Sequence, residues 1–364
     1  MASPLLTHCP PTLPQEAYLA PDWFAREQRG IWAREWVYVG RFNDLTPSSI
    51  TRHTVAGAQI LLCNGEALTA YHNTCRHRGA ELCAADGPLG KLITCPYHAW
   101  SYTASDGRLV SVAHAKPTAD FQPEDHALHS VAVARWNGFV YVNLSPTPGP
   151  LTPDIGLAAF DNWPMGSLLT GHRTSRDLNC NWKVFWENYN ECLHCPGIHP
   201  ELCDMVPVYA CGVMSPRETG NFPAGPALKQ GAQSWTMTGD PCGPIFPGLT
   251  ATERNAGYTF ATLYPSMFVV AHVDYVRAVS LTPLGPETTR LTAEWLFSAE
   301  TLAQPGFDPA QTARFAGIVL QQDGCACEMN QRGIRSPAYR QGTLMPQEFD
   351  LHAFHHWVLE RIAP

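Results

Sequence analysis

The chain has 364 residues, 45% hydrophobic and 15% charged, which is enough for two domains with their own cores and far from a disordered composition. A net charge of −8 offers no basic surface for nucleic acid or an anionic membrane, and no apolar run is long enough to span a bilayer. The opening residues lack the charged and apolar regions of a signal peptide, and the 13 cysteines form no framework, so they read as reduced thiols of a cytoplasmic protein.

Residues 15–35 carry an amphipathic helical pattern, with Ala20-Pro-Asp22 as a start and Phe24, Ile31 and Trp32 on one face. Period-two strands follow: Trp36-Val-Tyr-Val39, Gln59-Ile-Leu-Leu-Cys63, Leu68-Thr-Ala-Tyr71, Leu92-Ile-Thr-Cys95 and Phe139-Val-Tyr-Val-Asn-Leu144. Turn residues separate them at Asn64-Gly65, Asp86-Gly-Pro88, Ser105-Asp-Gly107 and Asn137-Gly138. Residues 36–146 therefore form a small all-β domain. The proline-rich stretch Pro146-Thr-Pro-Gly-Pro-Leu-Thr-Pro153 marks a boundary. Beyond it, 181–195 and 309–334 look helical, while 258–282 and 290–298 look like strands. The fold class is α+β, with residues 1–35 and 147–364 forming a second domain in which helices pack on a sheet.

Within the β domain, Cys75-Arg-His77 and Cys95-Pro-Tyr-His98 lie 17 residues apart. Two Cys-plus-His pairs on separate loops suit a 2Fe-2S cluster with two thiolates on one iron and two imidazoles on the other, which raises its potential above that of an all-cysteine ferredoxin. Two Cys and two His also suit zinc. Zinc fingers, however, pair Cys with Cys and His with His, whereas each loop here carries one of each.

The second domain contains Asn181-Trp-Lys-Val-Phe-Trp-Glu-Asn-Tyr-Asn-Glu-Cys-Leu-His-Cys-Pro-Gly-Ile-His-Pro200. His194 and His199 at this spacing would diverge by about 140° on a regular helix. Pro196-Gly197 breaks the helix and lets the second ring swing back. Two His and one carboxylate on one face of an iron leave positions open for dioxygen. Asp323, in Gln321-Gln-Asp-Gly-Cys-Ala-Cys-Glu-Met-Asn-Gln-Arg-Gly333, is the best third ligand, with Glu328 as its rival.

The loop sequences Cys75-Arg-His-Arg-Gly-Ala80 and Cys95-Pro-Tyr-His-Ala-Trp-Ser-Tyr102 resemble the Rieske domain of the Rieske non-heme iron oxygenases. The His194, His199 and Asp323 segments resemble the family's iron site residue by residue. Respiratory-type Rieske proteins have an extra cysteine in each loop; here the second loop has none, so Cys83 reads as a packed thiol.

The resemblance implies an all-β Rieske domain with a helix-grip-like catalytic domain of antiparallel sheet covered by helices. It implies a 2Fe-2S cluster on Cys75, His77, Cys95 and His98, and a mononuclear Fe(II) on His194, His199 and Asp323. It also implies a homotrimer in which a carboxylate joins a cluster histidine of one subunit to an iron-bound histidine of the next. Glu191, three residues before His194 on the expected helical face, matches that carboxylate, whereas Glu187 reads as a supporting or structural acid. A glutamate here resembles the carnitine, choline and glycine-betaine monooxygenases and related N-demethylases. So do Asp274-Tyr-Val276, Leu281-Thr-Pro-Leu-Gly-Pro286 and Glu294-Trp-Leu-Phe297.

The expected activity is O2-dependent hydroxylation of a small organic substrate, foremost an N-methyl group of a betaine-like quaternary ammonium compound. Hydroxylation or cis-dihydroxylation of an aromatic acid is the alternative, and an electron carrier with the cluster alone is a third. No Gly-x-Gly-x-x-Gly follows a strand, so reducing equivalents come from a separate NAD(P)H-dependent flavin or ferredoxin reductase. A quaternary ammonium seeks aromatic faces; Trp235, Phe246, Tyr258, Phe260, Tyr264 and Phe268 are the candidates. Cys192 and Cys195 spell C-x-x-C without a thioredoxin context and read as packing residues, as do Cys325 and Cys327. His355 and His356 read as a surface or core pair on the last helix.

Overall fold

The computed structural model describes residues 5–155, 160–213 and 228–363. The chain divides into two compact units, Gln28–Leu151 and Met1–Glu27 with Thr152–Pro364.

The first unit is all-β after a π-helical turn at Gln28–Trp32. Its strands are β1 (Val37–Arg41), β2 (Ser49–Val55), β3 (Ala58–Asn64), β4 (Leu68–His72), β5 (Gly87–Pro88), β6 (Leu92–Thr94), β7 (Trp100–Thr103), β8 (Leu109–Val112), β9 (Ser130–Trp136) and β10 (Phe139–Asn143). They form an antiparallel seven-stranded sheet, β1-β10-β9-β4-β3-β2-β5, and a three-stranded sheet, β6-β7-β8. All five strands read from the sequence are present. The β9–β10 turn places both Asn137 (φ 48°) and Gly138 (φ 80°) in the left-handed region, as a two-residue hairpin loop whose twist matches its strands requires. A Cβ on Gly138 would also lie 2.8 Å from the Arg41 guanidinium, which instead donates to the Asn137 carbonyl at 2.8 Å.

The second unit opens with α1 (Glu16–Leu19) and α2 (Pro21–Glu27). The expected continuous helix over 15–35 is thus broken at Ala20, whose backbone is extended (ψ 126°) because the following Pro21 disfavours the helical region there. Its sheet is antiparallel, β11-β13-β14-β15-β16-β12, built from β11 (Asp154–Ile155), β12 (Leu169–Leu178), β13 (Tyr258–Leu263), β14 (Met267–His272), β15 (Val276–Gly285) and β16 (Thr288–Phe297). The helices are α3 (Trp182–Tyr189), α4 (Cys195–Ile198), α5 (Pro200–Met205), α6 (Ala251–Ala256), α7 (Ala299–Leu302), α8 (Pro309–Ile334) and α9 (Phe349–Ile362). Among the described residues, no helix is long and apolar enough to cross a membrane.

Two helices position the chemistry. Helix α3 starts where Asn181 accepts from the Lys183 backbone N–H, and it buries Trp182, Val184, Phe185 and Trp186. Lys183 is fully buried yet ion-paired with fully buried Glu27; it also donates to Asn181 Oδ1 at 2.8 Å, and the Trp182 indole donates to Glu27 Oε2 at 2.8 Å. This satisfied pair ties α2 to α3. Helix α8 begins at an Asp308 cap with Pro309 in the first turn and runs 26 residues, roughly 39 Å, as the sequence pattern indicated. Gly324 lets it lie close on β12, since a Cβ there would sit 2.9 Å from Leu178 Cδ2.

Candidate metal centres and pocket

In the β unit, the loops after β4 and β6 share one backbone device. The Cys75 carbonyl accepts from Gly79 N and the Cys95 carbonyl from Ala99 N, and both closing residues have positive φ (79° and 54°). Each turn aims one thiol inward and one imidazole outward. Cys75 and Cys95 are buried among Tyr71, Trp100 and Tyr102, and the Tyr102 hydroxyl lies 3.2 Å from Cys75 Sγ. His77 and His98 are partly exposed, with ring centroids 4.6 Å apart, and His77 stacks on Trp100 at 4.7 Å. His77 Nδ1 is buried with no hydrogen-bond partner among the described residues. An orphaned imidazole nitrogen beside two buried thiols fits a cluster with its thiolates inward and its imidazoles at the surface, where electrons arrive and leave. Cys83 is a free thiol.

In the second unit, α3 stops at Tyr189, earlier than the helix expected over 181–195. Glu191 and His194 lie in the turn between α3 and α4 and do not share a helical face. Glu191 nevertheless meets His194: its Oε1 is 2.6 Å from His194 Nδ1. The other oxygen accepts the Leu193 and His194 backbone N–H groups. The break that turns His199 back also differs from expectation. Pro196 and Gly197 sit inside α4, whereas His199 itself is non-helical (φ −119°, ψ 68°) because Pro200 follows and starts α5.

The three expected ligands come together. His194 Nε2 lies 3.2 Å from His199 Nε2 and 3.6 Å from Asp323 Oδ1, and His199 Nε2 lies 2.9 Å from Asp323 Oδ1. Bonds of about 2.1 Å at right angles place neighbouring ligand atoms roughly 3.0 Å apart. The spacing fits one face of a single metal ion. Burial works against protonation of His194, but its bonds to Asp323 and Glu191 outweigh this and push its pKa up to about 9. Burial likewise works against the Asp323 carboxylate, yet the two imidazoles hold it below the usual range. Carboxylates and imidazoles converging this way make a site that draws a cation to its centre.

Supporting groups orient the ligands. His199 Nδ1 bonds Gln322 Oε1 at 2.8 Å, and Gln322 Nε2 donates to Glu201 Oε2 at 3.0 Å, which fixes Nε2 as the inward nitrogen. Neither Gln322 nor Glu201 was singled out from the sequence, although Gln322 adjoins Asp323. Glu328 faces away, accepting from Asn179 N at 3.0 Å and Arg176 at 3.4 Å, so it clamps α8 to the β12–α3 connection. Glu187 accepts from the Tyr18 hydroxyl at 2.7 Å and meets His355 Nε2 at 2.8 Å, as a structural acid does. Cys192 and Cys195, expected as packed thiols, are joined in a disulfide that straddles His194. His355 is buried on α9, whereas His356 is exposed beside His352.

The three ligands open on a pocket floored by one face of the sheet. Phe260 pairs with Val270 and Val270 with Arg277, a row across β13, β14 and β15; Tyr258 and Phe268 lie two residues back on the same face. Phe185, Tyr189, Tyr209 and Trp235 complete the aromatic wall. Four of the six expected aromatics therefore line it. Phe246 and Tyr264 do not: Phe246 lies outside the strands, and Tyr264, past the end of β13, donates to Asn190 Oδ1 at 2.9 Å and packs on Trp186 and Phe354. Arg277 was missed; its signal was a lone charge in the apolar run Tyr275-Val-Arg-Ala-Val279.

Residues 35–122 match the model of the Rieske [2Fe-2S] domain, and residues 165–364 match that of the ring hydroxylating alpha subunit catalytic domain. The glycine betaine monooxygenase oxygenase subunit of Chromohalobacter salexigens is 30% identical, over 95% of this chain and 84% of its own. The carnitine monooxygenase oxygenase subunit of Acinetobacter baumannii is 27% identical, over 92% of this chain and 88% of its own. Among solved structures, a quaternary ammonium Rieske monooxygenase studied for carnitine oxidation and inter-subunit electron transfer superposes with a TM-score of 0.72 at 22% identity, over 96% of this chain and 95% of that one.

Proposed function

The chain belongs to the ring-hydroxylating oxygenase alpha subunits with a Rieske domain, and from that membership we propose that it oxidises an N-methyl carbon of a betaine-like quaternary ammonium compound. The enzyme class excludes a carrier limited to the cluster. Its cofactors are a Rieske 2Fe-2S cluster and a mononuclear iron, and it works with a reductase partner.

We assign the cluster to Cys75, His77, Cys95 and His98 within residues 36–146, and the iron to His194, His199 and Asp323 within 1–35 and 147–364. When bound, the cluster supplies one-electron transfer and the iron supplies reductive activation of dioxygen. Glu191 holds His194 with Nε2 towards His199 and Asp323, and Gln322 does the same for His199. The aromatic wall excludes water and offers ring faces to a cation. Insertion of one oxygen atom into a C–H bond of the N-methyl group uses O2, two electrons and two protons and releases water. The N–CH2OH product then loses formaldehyde and a proton, leaving a tertiary amine.

The observation that carries this reading is the set of aromatic rings, Trp235, Tyr258 and Phe268 among them, around the three ligand side chains. The similarity to glycine betaine and carnitine monooxygenase subunits supports it. We further propose a homotrimer without a small second subunit, in the cytoplasm, fed by an NAD(P)H-dependent flavin or ferredoxin reductase. In it, Glu191 lies between His98 of the partner subunit and His194. The test is a panel of betaines and aromatic acids supplied with O2, NADH and a surrogate reductase. Formaldehyde matching the N-methyl groups lost supports the reading; a hydroxylated aromatic acid without formaldehyde overturns it.

A further inference from the structure

Arg277 is the feature of the pocket that the chemistry above does not use. Its residue is 5% exposed, and it projects from the start of β15, on the face that floors the pocket. Its Nε and Nη1 are buried with no hydrogen-bond partner among the described residues, and so is Nε1 of Trp235, another pocket residue. The Arg277 guanidinium carbon lies 5.9 Å from the Trp235 ring centroid and 6.0 Å from that of Phe268. A group of unmatched N–H donors beside a buried positive charge is costly unless an acceptor arrives with the ligand.

The charge balance points the same way. Asp323 is the acidic side chain whose field reaches Arg277, and it is assigned to the iron. Desolvation lowers the guanidinium pKa, so burial opposes the charge, yet an arginine side chain stays protonated in proteins. With a dication on the three ligands, Asp323 and Glu191 offset its charge, and the Arg277 charge is left unmatched on the pocket floor. A bare quaternary ammonium entering it meets repulsion that ring faces only partly offset. A carboxylate removes the conflict, because a planar guanidinium pairs two of its donors with two carboxylate oxygens.

We propose that Arg277, aided by the Trp235 indole N–H, is the carboxylate anchor of the substrate pocket, so that the substrate class is the N-methylated zwitterion and not the simple cation. The proposal deepens the N-methyl reading and rests on it for the cationic end alone. The carboxylate docks on Arg277 and Trp235, and the ammonium end turns towards His194, His199 and Asp323. The methyl carbon farthest from the carboxylate is then the one presented for oxidation.

The experiment is calorimetric binding to the oxidised holoenzyme of three probes of similar shape. Glycine betaine carries both charges, choline has a hydroxymethyl group in place of the carboxylate, and the tert-butylacetate anion replaces the ammonium by carbon. Both carboxylates are expected to bind, and choline at least about tenfold more weakly than glycine betaine. Arg277→Gln should weaken both carboxylates by about tenfold to a hundredfold and bind choline no more weakly, and more tightly where the lost repulsion is felt. Equal affinity for choline and glycine betaine overturns the proposal, as does failure of either carboxylate to bind at millimolar concentration. Undiminished carboxylate binding by R277Q with its cluster spectrum intact does so too. If R277Q does not fold, the matched probes on the unaltered enzyme decide. Tight tert-butylacetate binding with no formaldehyde from any betaine defeats the N-methyl reading and leaves the anchor standing. Betaine demethylation unaffected in R277Q defeats the anchor and leaves that reading standing.

Discussion

Glu191 Oε1 lies 2.6 Å from His194 Nδ1, so the histidine ring is held with Nε2 turned to His199 and Asp323. A carboxylate on the outer nitrogen of a metal-binding histidine fixes tautomer and orientation. Because Glu191 is not itself among the three converging residues, Glu191→Gln or Glu191→Ala should bind the mononuclear iron more weakly but still fill the site when iron is in excess, keep the cluster spectrum, and fail to turn over. Normal product formation by either variant overturns the proposed place of Glu191 between the redox centres.

Asp323→Ala should strip the mononuclear iron and leave the cluster absorption in place, because Asp323 belongs to the second unit alone. Metal analysis together with the visible spectrum separates the two centres. Iron content equal to that of the unaltered protein would move the third ligand to another residue.

Gln322→Leu removes the acceptor of His199 Nδ1 and strands Glu201, its other partner. Loss of such an outer contact lowers metal affinity by about 10- to 100-fold. Competition with a chelator should show that drop for the mononuclear iron, while the cluster is unaffected.

Lys183→Met leaves the Glu27 carboxylate buried without its ion pair, which costs about 3–5 kcal/mol. Denaturant unfolding should register that loss. The double change Lys183→Met with Glu27→Gln should recover much of it, since no unpaired charge then remains buried. Equal stability of the single and double variants would show that the pair is not what binds α2 to α3.

His272 gives the stability a pH dependence. It is fully buried at the end of β14 beside Trp235, Tyr258, Tyr275 and Arg277, and its ring nitrogens have no partner among the described residues. Burial, and then the Arg277 charge, hold its pKa well below the ordinary histidine value. The unfolded chain takes up a proton near pH 6.5 that the folded chain refuses, so stability is full above that pH and falls below it. The loss is about 1.4 kcal/mol per pH unit. His272→Phe should flatten the decline in melting temperature between neutral and mildly acidic pH; an unchanged slope would assign it to other groups.

Local order was legible where a single residue type dictates it. The Asn137-Gly138 turn, for example, gave the β9–β10 hairpin its loop. The two Cys-and-His loops and the convergence of His194, His199 and Asp323 were legible too, because metal-binding chemistry narrows the choice to Cys, His and carboxylates. The end of α3 was not. Nothing at Asn190 stops a helix by itself; there the side chain accepts from the Tyr264 hydroxyl, a partner 74 residues away. Strand β12 was missed because, as a sheet edge, it is largely exposed and polar and shows no apolar alternation.

What the chain alone determined, then, is the inventory of candidate metal-binding groups and the two-part α+β plan, because both depend on residue identity and short-range periodicity. The walls of the pocket were decided only in three dimensions. Strand register sets Phe260, Val270 and Arg277 in one row and leaves Tyr264 outside it. Whether a buried arginine is neutralised depends on which distant side chains fold against it, and that is a property of packing.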